Sequence, residues 1–234
     1  MVERRLPPGQ RALDGAPPRF GLERFVKRTV AVPPNWRLRI DGEVEAPLEL
    51  ALDEIVGEAR VERTLDLHCV TTWTAPDLVW SGRAFQDFWE HVVVARARPR
   101  RGVAHVHAVS LDGFEAALPL DELLQPDVLL ADRLHGLPLT LDHGAPLRLV
   151  IPQLYGYKNA KHLTRLSLRF EPATISVSRF LAHPRARVDL EERSGVGAQR
   201  LWRFLYHRLV GSFLRRARAY RIPEPPPPER PAGD

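Results

Sequence analysis

Cysteine is almost missing from this chain: Cys69 is the only one in 234 residues. A single thiol excludes an intramolecular disulfide framework and any metal site built from cysteines alone. No run reaches the roughly 20 apolar residues of a membrane-crossing helix. The stretch Met1 to Gln10 is charged and proline-bearing, with no apolar core, so no secretory signal is expected and the cytoplasm is the expected compartment. No Walker loop and no glycine-rich dinucleotide fingerprint occurs, which removes those routes to a nucleotide. The nine histidines show no metal-ligand spacing; His105 and His107 share one strand face and read as facing solvent or a packed edge. Strands alternating with long helices are absent, as is any fixed repeat, so doubly wound and solenoid folds are not expected.

Proline is abundant at 22 residues, which favours loops, short strands and few long helices. The hydrophobic fraction of 44% is enough for a sizeable core, and the length suits one compact domain with appendages. The formal net charge is +5 and arginine greatly outnumbers lysine. No basic stripe interleaved with stacking aromatics runs through the body, so nucleic acid is not an expected partner.

The chain divides into four stretches. Residues 1–31 are an irregular lead-in, in which Phe20 to Val32 reads as a short strand or one helical turn. Residues 32–172 form the body. Alternating patterns predict strands at Trp36–Ile40, Leu48–Leu50, Arg63–Val70, Ala104–Ser110, Leu147–Ile151 and His162–Phe170. Short helices are predicted at Leu52–Gly57 and Phe85–Val93, further short elements at Leu118–Leu124 and Val128–Leu134, and turns at Asp41-Gly42, Ser81-Gly82 and Asp112-Gly113. This is a strand-rich α+β body. Residues 173–222 form a wrap followed by a basic amphipathic helix over 198–219, whose apolar face holds Leu201, Trp202, Leu205, Tyr206, Leu209, Val210, Phe213 and Ala217. Residues 223–234 are proline-rich and expected to be disordered.

Three clusters can carry chemistry. Cys69 ends a strand, in Asp66-Leu67-His68-Cys69-Val70-Thr71-Thr72-Trp73. Neighbouring side chains on a strand point to opposite faces, so His68 cannot serve the thiol as a base. The sulfur is then a small buried hydrophobe, a nucleophile served by a distant histidine, or a ligand to a soft or high-valent metal whose other ligands come from a cofactor. His143-Gly144-Ala145-Pro146-Leu147-Arg148 holds an arginine at a strand start, as a clamp for phosphate or a polar heterocycle, or as half of a structural ion pair. The loop Tyr155-Gly156-Tyr157-Lys158-Asn159-Ala160-Lys161 offers amides and ammonium groups to an anion.

At these clusters the sequence resembles the molybdopterin-binding domain of the sulfite oxidase family, and among its members the small bacterial proteins that lack haem and dimerisation domains. The resemblance rests on His68-Cys69-Val70-Thr71-Thr72-Trp73 with Trp80 downstream, Ser110-Leu111-Asp112-Gly113-Phe114, His143 to Pro152, and Tyr155 to Lys161, in that order. It implies a mononuclear molybdenum held by one pyranopterin dithiolene, with Cys69 as the protein thiolate. It further implies that His143 and Arg148 hold the pterin and its phosphate and that Lys158 and Lys161 serve the phosphate loop, with His68, Thr71, Tyr157 and Asn159 completing the cofactor-binding set. The implied reaction transfers an oxygen atom to or from a small S-oxide, N-oxide or sulfite, with an unidentified electron-transfer partner. The second arginine of a sulfite pocket has no counterpart that the sequence locates. The alternative is a cofactor-free, non-catalytic member of the fold that binds a partner or a membrane. Two placements of the basic helix stay open: packing on the domain or a second subunit, and peripheral contact with an anionic membrane.

Overall fold

The computed structural model describes residues 6–13, 28, 30–175 and 182–219. Most of Phe20–Val32 and all of 223–234 lie outside the described residues. Two sheets carry the molecule. One has the order β3 (Leu48–Leu50), β2 (Leu38–Gly42), β11 (Leu163–Arg169), β6 (His105–Ser110) and β7 (Glu115–Pro119). The other is built on the long strand β5 (Trp73–Ala84), which pairs with β4 (Arg60–His68), with β8 (Leu129–Leu134) and, in parallel, with β1 (Arg11–Ala12). β8 in turn pairs with β9 (Leu137–Pro138) and β10 (Arg148–Val150). Short helices α1 (Leu52–Ile55), α2 (Phe85–Phe88), which runs on into a π-helical stretch at Trp89–Ala97, and α3 (Leu120–Leu123) fill the gaps. The long helix α4 (Gln199–Ala219) follows the body. The mixed α+β class, with short helices, two strand-rich sheets and a C-terminal helix, is therefore the observed one.

The two-residue period of the strands sorts side chains into two cores. On β10 and its flanks, Leu147, Leu149 and Ile151 join the main core with Leu38, Ile40, Phe85, Phe88, Val106 and Leu166. Arg148 and Val150 alternate with them, and Val150 joins a second core with Cys69, Trp73, Ala75, Leu78, Trp80, Leu129 and Ala131. The main core lies between the sheets and the short helices. The second core lies on the other face of the β5 sheet, where the lead-in residue Leu13 and the α4 residues Val210 and Leu214 cover it.

Two sequence expectations are corrected. Ser81-Gly82 is not a turn but the interior of β5, at a register shift opposite β8. Glycine marks a turn or a close backbone approach with equal strength in a sequence; here a Cβ on Gly82 would lie 2.1 Å from the Leu130 carbonyl oxygen. The turn at Asp112-Gly113 is where the sequence places it, and Glu115 opens β7 after it. The lead-in supplies β1, too short to show any period. Gly82→Ala should therefore lower stability by about 1–3 kcal/mol, the range for overpacking; a urea midpoint equal to the parent's would refute the close approach.

Candidate functional site

Cys69 sits in the tight connection between β4 and β5. Its N–H donates to the Trp73 carbonyl at 2.8 Å, and the Thr72 N–H donates back to the Cys69 carbonyl at 3.2 Å. Closing the chain in so few residues puts Thr72 at φ +73°. A β-branched residue in the left-handed region is strained, and such strain collects at functional positions. The Thr72 hydroxyl is also buried with no hydrogen-bond partner. The turn thus carries two local costs that a structural connection has no need of.

The thiol is 6% exposed. Its sulfur lies 3.1 Å from the Thr71 hydroxyl. Burial in the apolar second core pushes its pKa up to about 11, against opposing contributions from Thr71 and Arg193. The backbone around it is tied down by residues far away in sequence. Gln10 donates from its amide to the Cys69 carbonyl at 3.1 Å and accepts from the Thr74 hydroxyl at 3.3 Å. Having given its one proton to Gln10, Thr74 accepts from the His68 Nδ1–H at 2.8 Å. Arg193, fully buried, donates to the Val70 carbonyl at 2.7 Å and lies 5.2 Å over the Tyr155 ring.

The second cluster is cationic. The Arg148 side chain is 2% exposed. It donates to the His143 carbonyl at 2.8 Å and the Leu149 carbonyl at 3.3 Å, and its guanidinium stacks 4.8 Å over the Trp80 ring. Among the described residues it forms no ion pair with a carboxylate, and burial draws its pKa down to about 10. His143 shares its Nδ1 with the Thr140 hydroxyl at 2.9 Å. Burial, with Lys161 and Arg148 close by, draws the pKa of His143 down to about 4, so the imidazole is neutral at pH 7. Lys161 donates to the Asp142 carbonyl at 2.7 Å and lies along Gly144, whose φ of +104° favours glycine and where a Cβ would crowd the lysine side chain at 3.0 Å. The structure thus gathers His143, Arg148 and Lys161 into one basic cluster. Trp80 links it to the core that holds Cys69.

The remaining expected residues stand elsewhere. Lys158 is buried and donates to the Ala117 carbonyl at 2.8 Å and the Pro184 carbonyl at 2.5 Å, joining β7 to the tail. Burial draws its pKa down to about 8. Asn159 accepts from the Ile151 N–H at 2.6 Å and so shapes its own loop. The Tyr157 hydroxyl accepts from the His183 N–H at 3.1 Å. These three side chains are not brought together with His143, Arg148 and Lys161. Gln10 and Arg193 were not legible as site residues. A lone glutamine in a lead-in carries no signal, and Arg193 closes a charged run that reads as solvated. A cavity of about 240 Å³ opens beside the cysteine turn, lined by Arg11, Ala12, Leu13, Thr72, Trp73, Val210 and Leu214. It lies on the α4 side of the turn and does not include Arg148 or Lys161.

No three His, Cys, Asp or Glu side chains converge as a metal site among the described residues. A metal held here would take one thiolate from the protein and its other ligands from a cofactor. The donor set fits such a group: a soft ligand on one side, and a buried cation whose partners are carbonyls on the other.

Comparison with known proteins bears on this geometry. The model of a family described as oxidoreductase molybdopterin binding domain matches residues 26–175. The chain is 39% identical over 129 residues to YuiH of Bacillus subtilis, an uncharacterized oxidoreductase, covering 55% of this chain and 63% of YuiH. It is 32% identical over 147 residues to the catalytic subunit of the protein-methionine-sulfoxide reductase MsrP of Xanthomonas axonopodis pv. citri, covering 56% of this chain and 44% of MsrP. Among solved structures, the sulfane dehydrogenase SoxCD of Paracoccus pantotrophus superposes with a TM-score of 0.55 at 21% identity, covering 72% of this chain and 46% of that one. The chain therefore spans roughly half the length of these relatives, and its residues 182–219 lie beyond the family match.

With a pKa near 11, the metal-free thiol should alkylate with iodoacetamide about a hundredfold more slowly at pH 8 than a thiol of pKa 9.0. The rate should climb about tenfold per pH unit until the thiol ionises. Rapid, pH-independent labelling at neutral pH would contradict the buried, protonated state.

Proposed function

The chain belongs to the oxidoreductase molybdopterin binding domain family, and from that premise we propose that it is a molybdenum-dependent oxidoreductase with Cys69 as the protein ligand to the metal. The observation that carries this reading is the buried Arg148 guanidinium, held by carbonyls and by Trp80, on the same face of the β5 sheet as the buried thiol. A cation taken out of water without a carboxylate calls for an anion to complete it. A phosphate-bearing pterin supplies that anion, with Arg148, His143 and Lys161 around it.

In this reading the cofactor, when bound, supplies the two-electron oxygen-atom exchange, and the protein supplies ligation, orientation and electrostatics. Cys69 gives up its proton on ligation. Arg193 favours the thiolate from the tail side, and Thr71 hydrogen-bonds the sulfur. Neutral His143 turns one nitrogen toward Thr140, leaving the other for the cofactor. His68, Tyr157, Lys158 and Asn159 act at one remove, by holding the cysteine turn and the 155–161 loop in shape. The proposed substrate class is a small S-oxide, with N-oxides and sulfite as the other candidates. The name of the MsrP relatives supports the sulfoxide. Reduction of an S-oxide consumes two electrons and two protons and releases the sulfide and water, so an electron-transfer partner is required.

Protein expressed with a working cofactor pathway should carry stoichiometric molybdenum and reduce an S-oxide with a reduced dye as donor, and Cys69→Ala should abolish turnover. Undiminished turnover in that variant would remove the ligand assignment. Protein free of both metal and pterin would leave the non-catalytic alternative in its place.

Arg148→Met separates a cofactor clamp from a structural arginine. Replacing a buried cation that lacks a carboxylate should leave the metal-free protein as stable as its parent or more stable, by up to about 4 kcal/mol, while pterin content drops at least tenfold. A stability loss of about 3–5 kcal/mol, the cost of breaking a buried pair, with pterin content unchanged would make Arg148 structural.

A further inference from the structure

The apolar residues of α4 occupy more of its circumference than the protein covers. At 100° per residue, Tyr206, Val210 and Leu214 fall on one side, and Val210 and Leu214 pack on the core that contains Cys69. Leu201, Phe204, Leu205 and Leu209 fall on the other side and are 56%, 53%, 40% and 47% exposed. The sequence predicts one apolar face with Leu201, Leu205 and Leu209 beside Tyr206 and Val210; the structure buries only half of it. Of the nine exposed large hydrophobic side chains among the described residues, six lie between Leu190 and Leu209. The surplus is therefore concentrated on the tail rather than scattered as on an ordinary surface.

The charge on that outer side has one sign. Arg200, Arg208 and Arg215 are exposed there, and the sequence of α4 contains no Asp or Glu. The Arg208 guanidinium lies 4.7 Å over the Phe204 ring. Arg203, nearer the body, is engaged by Glu191 at 3.1 Å. A second copy of this face would set arginines against arginines, which opposes association. No described helix is long and apolar enough to cross a membrane, so the surface suits a helix lying flat, with leucines in the acyl boundary and arginines at anionic headgroups.

We propose that the outer face of α4 docks the protein on an anionic lipid bilayer. The helix would lie in the plane of the interface over about 30 Å, at 1.5 Å per residue. Its inner face would remain the cover of the Cys69 core, so docking would hold the candidate site one helix diameter, about 10 Å, from the lipid surface. The inference is independent of the metal chemistry and can be tested on metal-free protein.

The test is flotation of the full chain with vesicles of phosphatidylcholine alone and of phosphatidylcholine with phosphatidylglycerol, at low and high salt. Partitioning should be at least about tenfold stronger on the anionic vesicles and fall with salt. Arg208→Gln should weaken it about fivefold, and Leu205→Gln with Leu209→Gln by more than tenfold, with thermal midpoints close to the parent's because these side chains face outward. Equal partitioning on both lipids, none on either, or a concentration-dependent dimer that the leucine variant dissolves would overturn the proposal. If the leucine variant loses its helix, the parent's preference between the two lipid compositions still decides.

Discussion

A guanidinium buried without a carboxylate is the constraint on which this site rests. Arg148 is carried inward because it alternates with Leu147 and Leu149 on a strand whose other face fills the main core. Once inside, it stacks on Trp80 and donates to two carbonyl oxygens, which do not neutralise its charge. Desolvating a full charge costs several kcal/mol, and dipoles return only part of it. His143 is kept neutral first by burial and then by the same positive surroundings. The cluster is thus positive, with no carboxylate paired to Arg148 among the described residues.

The cysteine turn obeys a related logic. A thiol in an apolar core holds its proton, and Thr72 beside it is both strained and missing a hydrogen bond. Neither feature helps the fold. What keeps the turn in this shape is assembled from both ends of the chain: Gln10 on the Cys69 carbonyl, Arg193 on the Val70 carbonyl, and α4 above. Residues 182–219 lie outside the stretch that matches the family, yet they contribute a cation that favours the thiolate and part of the cover of its core. The tail is thus part of the site's architecture as well as the bearer of a surface that faces outward.

Much of the body was legible because its signals are local. Alternation at Leu48–Leu50, at Ala104–Ser110 and at His162–Phe170 appears as strands in the structure, and Cys69 follows a strand as expected. Failures came where one local signal has two physical causes. Ser81-Gly82 has the composition of a turn, but the missing Cβ serves a close approach of β8 instead. The apolar stripe of α4 is correct as a pattern, yet periodicity cannot say how much of a stripe its neighbours will cover. Lys158 and Lys161 look equivalent in one loop, and the fold turns their ammonium groups to different carbonyls, Ala117 and Pro184 for one and Asp142 for the other.

By itself the sequence determined the fold class, the single thiol, the order of the clusters around His143 and Tyr155, and the resemblance they carry. All of these depend on residues close together in the chain. Tertiary structure alone decided that Arg148 is buried without a counter-charge, that Gln10 and Arg193 meet at the cysteine turn, and that half of the α4 stripe stays exposed. Those facts arise from contacts between segments up to 196 residues apart, and burial, charge and desolvation are properties of such contacts rather than of any local pattern.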